Sequence, residues 1–270
     1  MGIELGVFLL LGCVIGLISG LLGVGGGTVV VPTVVFFLAT IGVEPGMIMK
    51  VALGTSFAVV GITSLSSVIA HQRRGSVIWP VVGLVGIGAM IGVSIGSRVV
   101  SMMSDLVLQI FFCVFLAYTI INMIRSAAKK EAETVASFPK PLYVLVGSAI
   151  GFVSSFVGIG GGVMIVPVLS KIGYKIKNAI ASSSAVGMFM ATAGALSALY
   201  FGYGAEGVPE GSVGFIYMPA MIGLSLTSIV FAPMGAKLVY VLPVKRIRQI
   251  FAGFLTLILI VFIYNNFIAL

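Results

Sequence analysis

Apolar runs of roughly 18–22 residues recur along the whole chain, each close to the ~20 residues a helix needs to cross a hydrocarbon core. Of the 270 residues, 60% are hydrophobic and only 8% charged, with a mean hydropathy of +1.26. That is too little charge to cover a water-facing surface. The chain reads as an all-α polytopic membrane protein whose first partner is the lipid bilayer. The predicted segments are 4–22, 28–41, 48–70, 77–96 and 106–124, then 142–158, 163–172, 179–201, 213–235 and 249–266. Each half thus holds five elements, and a glycine-rich break separates its first from its short second. That pair can form a re-entrant hairpin or two short crossings.

The charges orient the segments. Arg73, Arg74, Arg125, Lys129, Lys130, Lys140, Lys171, Lys175, Lys177, Lys237, Lys245, Arg246 and Arg248 fall on one side, and only Lys50 and Arg98 on the other. Glu4, Glu44, Asp105, Glu206 and Glu210 fall with the latter pair, Glu131 and Glu133 with the former. The positive-inside rule then places both termini outside the cytoplasm of an inner (plasma) membrane and the linker inside. The expected organisation is a first membrane repeat at 1–125, a cytoplasmic linker at 126–140 and a second repeat at 141–270. One repeat starts outside and the other inside, so the two are expected to be inverted, as in many secondary transporters.

The net charge of +8 does not signal nucleic acid, because the cations sit in short loops between apolar runs and form no basic face. Cys13 and Cys113 lie inside apolar runs, so neither a disulfide framework nor a metal site is expected. No cofactor, nucleotide or nucleophile–base–acid motif is present, so no enzyme is expected. Glu4 stands where a signal peptide would carry basic residues, and the N-terminus is not expected to be a cleaved leader.

The halves repeat in sequence. Residues 12–32 and 147–167 align without gaps and share ten identities: Gly12/Gly147, Ile15/Ile150, Gly16/Gly151, Ser19/Ser154, Gly23/Gly158, Gly25–Gly27/Gly160–Gly162, Val31/Val166 and Pro32/Pro167. Downstream, Gly54-Thr55-Ser56 is aligned with Ser182-Ser183-Ser184, and Gly96-Ser97-Arg98 with Gly235-Ala236-Lys237. Three consecutive glycines cost about 1 kcal/mol each in a helix relative to alanine, so a helix is expected to end and another to begin at each triple glycine. The new N-terminus exposes backbone N–H groups at membrane depth, where they suit an oxyanion. The spaced glycines Gly12/Gly16/Gly20 and Gly88/Gly92/Gly96 read as helix-packing faces, which also suit a homodimer. No Gly-Lys-Ser/Thr follows the triple glycines, which excludes a nucleotide P-loop.

The twin motifs GLLGVGGGTVVVP and SFVGIGGGVMIVP, with Gly54-Thr55-Ser56 and the HQRRGSVIW stretch at 71–79, resemble the sulfite exporter TauE/SafE family over essentially the full chain. The resemblance implies an inner-membrane permease moving sulfite, sulfonates or related sulfur-containing anions, commonly outward. Ser182-Ser183-Ser184 departs from the Gly/Ala-Thr-Ser expected there but keeps its hydroxyls.

The expected substrate-binding groups are Gly25, Gly26, Gly27, Gly160, Gly161 and Gly162, with the hydroxyls of Thr55, Ser56, Ser183, Ser184, Ser19 and Ser154. Hydroxyls can donate to an anion without burying a charge, although back-bonding to their own helices is the competing use. Arg98 and Lys237 end equivalent segments and read as snorkelling cations that can also attract or gate an anion. His71 reads as a lone interfacial histidine beside the arginine anchors. None of the seven acids falls mid-span, so no membrane-buried coupling acid is visible. The expected function is an alternating-access transporter of a small anion, with an anion channel of the same build or a non-transporting assembly subunit as alternatives.

Overall fold

The computed structural model describes residues 2–23, 25–126, 139–241 and 244–265. The predicted linker therefore lies almost wholly outside the described residues. Ten helices are present among those described: α1 Gly2–Leu22, α2 Gly27–Thr40, α3 Pro45–Gln72, α4 Trp79–Met102, α5 Asp105–Ser126, α6 Lys140–Ser155, α7 Gly162–Ile172, α8 Ile176–Phe201, α9 Met218–Leu238 and α10 Val244–Ile263. Five of them (α3, α4, α5, α8 and α9) are long and apolar enough to cross a membrane.

At 1.5 Å per residue, the 14 residues of α2 and 11 of α7 reach about 21 and 16 Å, short of a ~30 Å core. At the first break the chain turns back on itself. Phe8 of α1 meets Phe37 of α2 with ring centroids 4.9 Å apart, and a Cβ on Gly26 would lie 3.1 Å from the Ile15 carbonyl oxygen. The short helix therefore returns along α1 towards the level at which α1 began.

One predicted segment begins too early. Residues 213–217 are not helical: Ser212–Val213 pairs antiparallel with Ile216–Tyr217 in a two-stranded hairpin, and α9 starts only at Met218. The turn carries Gly214 at φ 56°, and Pro219 occupies the first turn of α9, where its missing N–H costs nothing. The apolar residues Phe215, Ile216 and Tyr217 extend the hydrophobic run without extending the helix.

The packing has a pattern under exchange of the first five helices for the last five. α1 packs along α9 and α4 along α6, the two most extensive helix contacts, while α3 packs on α8. Gly12, Gly16 and Gly20 of α1 lie against the backbone at Leu224, Ser228 and Ala232 in the same order, so α1 and α9 run parallel. Gly88 and Gly92 of α4 lie likewise against Val144 and Ser148 of α6. Both spaced-glycine faces are thus occupied within the chain, so a homodimer would have to use another face. α3 and α8 run the opposite way to each other: Gly54 is beside Ala198, Gly61 beside Ala191, and Ser67 beside Ser184.

Candidate functional site

The two breaks are built alike. α1 closes with the Gly23 N–H donating to the Ser19 carbonyl at 2.9 Å, and α6 with the Gly158 N–H donating to the Ser154 carbonyl at 2.9 Å. The next helix restarts from Gly26 at φ 79° or Gly161 at φ 70°, a left-handed conformation that glycine takes without steric cost. Gly26 O accepts from the Val29 and Val30 N–H groups at 3.0 and 3.2 Å, and Gly161 O from those of Met164 and Ile165 at 2.9 and 2.8 Å. The breaks also touch. A Cβ on Gly27 would collide with the Gly158 carbonyl and stand 2.9 Å from Ile159 Cα, so only glycine permits this approach. The first-turn amides of α2 and α7, which have no acceptor inside their own helices, therefore start from the middle of the molecule.

The hydroxyls tie each break to the opposite half. Ser56 Oγ donates to the Gly158 carbonyl at 2.6 Å and Ser183 Oγ to the Gly23 carbonyl at 2.9 Å. Thr55 Oγ1 accepts from the Tyr217 N–H at 2.9 Å, and Ser182 Oγ from the Ile78 N–H at 3.0 Å. Tyr217 and Ile78 are the cap residues of α9 and α4, so the two sets of bonds are twins. They correct the alignment by one residue. Thr55 pairs with Ser182 and Ser56 with Ser183, and this register also matches Lys50 with Lys177 and Ala52 with Ala179. Three successive serines left that register open. The protons of Ser56 and Ser183 are committed to carbonyls. Ser184 Oγ donates back to the Ile180 carbonyl at 3.2 Å and lies 3.4 Å from Ser67 Oγ.

The breaks differ in what surrounds them. Ser19, Thr28 and Ser64 are fully buried, and their hydroxyl oxygens have no hydrogen-bond partner among the described residues. All three belong to the first break. Ser19 ends α1, Thr28 lies in the first turn of α2, and Ser64 Oγ would be 3.0 Å from a Cβ on Gly25. The matching positions of the second break are Ser154, Val163 and Ala191. Gly25 has φ 75°, whereas Gly160 is not in the left-handed region. Each orphaned buried hydroxyl costs about 1–3 kcal/mol, a large sum beside a total stability of about 5–15 kcal/mol.

The peripheral candidates separate. Arg98 and Lys237 are exposed at the ends of α4 and α9, Arg98 with its guanidinium 5.5 Å from the centre of the Phe201 ring. His71, expected at the interface, is instead fully buried. Its Nε2 lies 3.2 Å from the Gly20 carbonyl and its Nδ1 3.2 Å from the Tyr240 hydroxyl, which donates to Ser76 Oγ at 2.8 Å. Arg74 covers the Tyr240 ring at 4.2 Å. These contacts tie α1, α3 and the turn after α9 together. The histidine was misplaced because its arginine neighbours are exposed, while its own position on α3 faces α1.

Comparison with known proteins assigns the ancestry. The family model described as sulfite exporter TauE/SafE matches residues 8–262. The chain belongs to the sulfite exporter TauE/SafE family. It is 36% identical over 252 residues to a probable membrane transporter protein of Haemophilus influenzae, covering 93% of this chain and 95% of that protein. A probable membrane transporter protein of Methanocaldococcus jannaschii is 28% identical over 252 residues, covering 92% and 91%. No solved structure is significantly similar to the chain.

The TauE/SafE match spans both breaks and every site residue considered above. Four residues of interest were missed by sequence reasoning: Thr28, Ser64, Ser182 and Lys50. Thr28 had a signal, since it directly follows the triple glycine. Ser182 needed the correct register, and Ser64 carried no local signal. Lys50 had been counted only as an exception to the charge rule.

Proposed function

We propose that the chain is a secondary transporter of small sulfur-containing oxyanions, sulfite or an organosulfonate, that holds its substrate where the two glycine breaks meet. The observation that carries this reading is the trio of orphaned hydroxyls, Ser19, Thr28 and Ser64, around the glycine-rich N-terminus of α2. Three unpartnered O–H groups belong to one break together with a helix N-terminus, and an oxyanion presents acceptors in several directions at once. A neutral donor set also releases its ion more readily than buried cations would. Transport as such follows from the TauE/SafE membership and from relatives named as probable membrane transporters. The choice of anion is ours.

The two halves are read as inverted repeats. The antiparallel course of the equivalent helices α3 and α8 supports this, together with the exchange-symmetric pairs α1 with α9 and α4 with α6. With the thirteen cations of one face in the cytoplasm, both termini lie on the outer side of the plasma membrane. Alternating access then exchanges which mouth is sealed. The His71–Tyr240–Ser76 contacts are read as the seal of the face bearing Arg74, which suits a carrier better than an open anion channel.

Purified protein screened by thermal shift against sulfite, thiosulfate, sulfoacetate, taurine and carboxylate controls identifies the anion. Proteoliposome counterflow then tests the mechanism. Saturable counterflow of the stabilising anion is expected. Bilayer conductance without counterflow would establish the channel instead, and no response to any anion would refute the proposal.

A further inference from the structure

The face opposite the arginine loop carries just two cations in the charge count: Arg98, which lies over the Phe201 ring, and Lys50, which lines a small cavity beside that ring. It opens between α3, α4, α6 and α8, with a volume of about 20 Å³. Lys50, Gly54, Ser97, Ser101, Ser155 and Ser197 line it with the ring of Phe201. Arg98 is stacked on that same ring, between the two α4 serines of the lining. Lys50 is half-buried, while Ser155 and Ser197 are buried. A tally that disfavours positive charge on this face gives no topological reason for both cations to lie near one ring.

We infer that this cavity is the receiving subsite for the transported anion, with Lys50 as its principal binding residue and Arg98 at its rim. The inference rests on the transport reading above and adds a residue and a place to it. Along the chain, Gly54 of the lining directly precedes Thr55 and Ser56, the second of which holds the Gly158 carbonyl. The volume admits about one water-sized group, so a single oxygen of an oxyanion enters beside Lys50 while the rest of the ion remains at the rim. The neighbouring acid, Asp105, does not line the cavity. It is buried on α5 with Oδ2 accepting the Met49 N–H at 2.9 Å.

The internal repeat provides an independent comparison. Lys177 occupies the register position of Lys50 in the second half, at the opposite face. There it is exposed, with its ammonium 5.4 Å from the centre of the Tyr240 ring. One twin lysine lines a small cavity and the other lies exposed at the equivalent position of the opposite face. That is the placement expected of paired receiving cations in a two-sided carrier.

The test uses the full chain in liposomes, with Cys13 and Cys113 replaced by alanine and Ser97→Cys as reporter. Its rate of reaction is measured with a methanethiosulfonate carrying a sulfonate and with a neutral methanethiosulfonate. With Lys50 present the anionic reagent is favoured, and Lys50→Gln lowers the anionic-to-neutral rate ratio about tenfold; Arg98→Gln lowers it less. The neutral rate serves as the folding control, and Lys50→Arg restores the preference. A ratio unchanged by Lys50→Gln with an unchanged neutral rate overturns the inference. Should the wild-type chain show no sulfite counterflow while the Lys50-dependent preference persists, the transport reading fails and its receiving role for this cavity falls with it, leaving an anion-attracting lysine.

Discussion

The two glycine breaks share a sequence, a left-handed restart and a cross-brace from the opposite half, yet differ in the groups around them. At the first, Ser19, Thr28 and Ser64 leave three buried hydroxyls without partners. At the second, Ser154 matches Ser19, but Val163 and Ala191 stand where Thr28 and Ser64 would be. Duplication therefore supplied two similar scaffolds, and under the proposed function one of them carries the polar groups of the site. The hydroxyls that keep the twin pattern, Ser56 with Ser183 and Thr55 with Ser182, are the ones spent on holding the breaks and capping helices. Thr28 and Ser64, which break the pattern, are left without partners, as is Ser19.

The largest expected contrast comes from adding a single methyl to each restart. Gly26→Ala places its Cβ 2.6 Å from Ile15 Cγ2 and 3.1 Å from the Ile15 carbonyl, which belongs to the backbone of α1. Gly161→Ala meets the end of a flexible side chain, Met190 Cε, at 2.8 Å. Both add strain of about 1 kcal/mol for a left-handed alanine. Sulfite counterflow is expected to vanish in Gly26→Ala and to persist at a reduced rate in Gly161→Ala, with both proteins eluting as monodisperse peaks from size exclusion. Equal losses would show that the breaks are functionally interchangeable.

The braces should behave oppositely, as equals. Removing the hydroxyl in Ser56→Ala or Ser183→Ala strips a buried carbonyl, that of Gly158 or Gly23, of its donor. Each is expected to cost about 1–3 kcal/mol, read as a fall in thermal midpoint in detergent, and the two falls should match within about 1 kcal/mol. A large fall for one and none for the other would mean that the braces do not share a role.

Much of this architecture is legible in the sequence. Ten apolar segments emerge within a few residues because lipid demands continuous hydrophobic length. The breaks emerge because a triple glycine is poor helix. What was hidden depended on tertiary contacts. The early start assigned to the ninth segment followed Phe215, Ile216 and Tyr217, which are as apolar as a helix but are turned into a hairpin by Gly214 and stopped by Pro219. The serine register was ambiguous until Tyr217 and Ile78 showed which hydroxyl each uses. The orphaned state of Thr28 and Ser64 is a property of everything packed around them, so no motif could announce it. His71 was obscured in the same way, because its burial comes from Gly20 and Tyr240, 51 and 169 residues away along the chain.

The central claim is that the unpartnered hydroxyls of the first break exist for the anion and at the expense of stability. The most direct test combines Thr28→Val with Ser64→Ala and follows thermal stability together with sulfite affinity by titration calorimetry. Apolar groups of similar shape remove two orphaned donors, so the midpoint should hold or rise, by about 1 kcal/mol of stability. The dissociation constant should meanwhile increase about tenfold, or 1.4 kcal/mol. The converse pair, Val163→Thr with Ala191→Ser at the second break, should leave affinity unchanged. A double variant at the first break that binds sulfite as tightly as the natural chain would contradict the account.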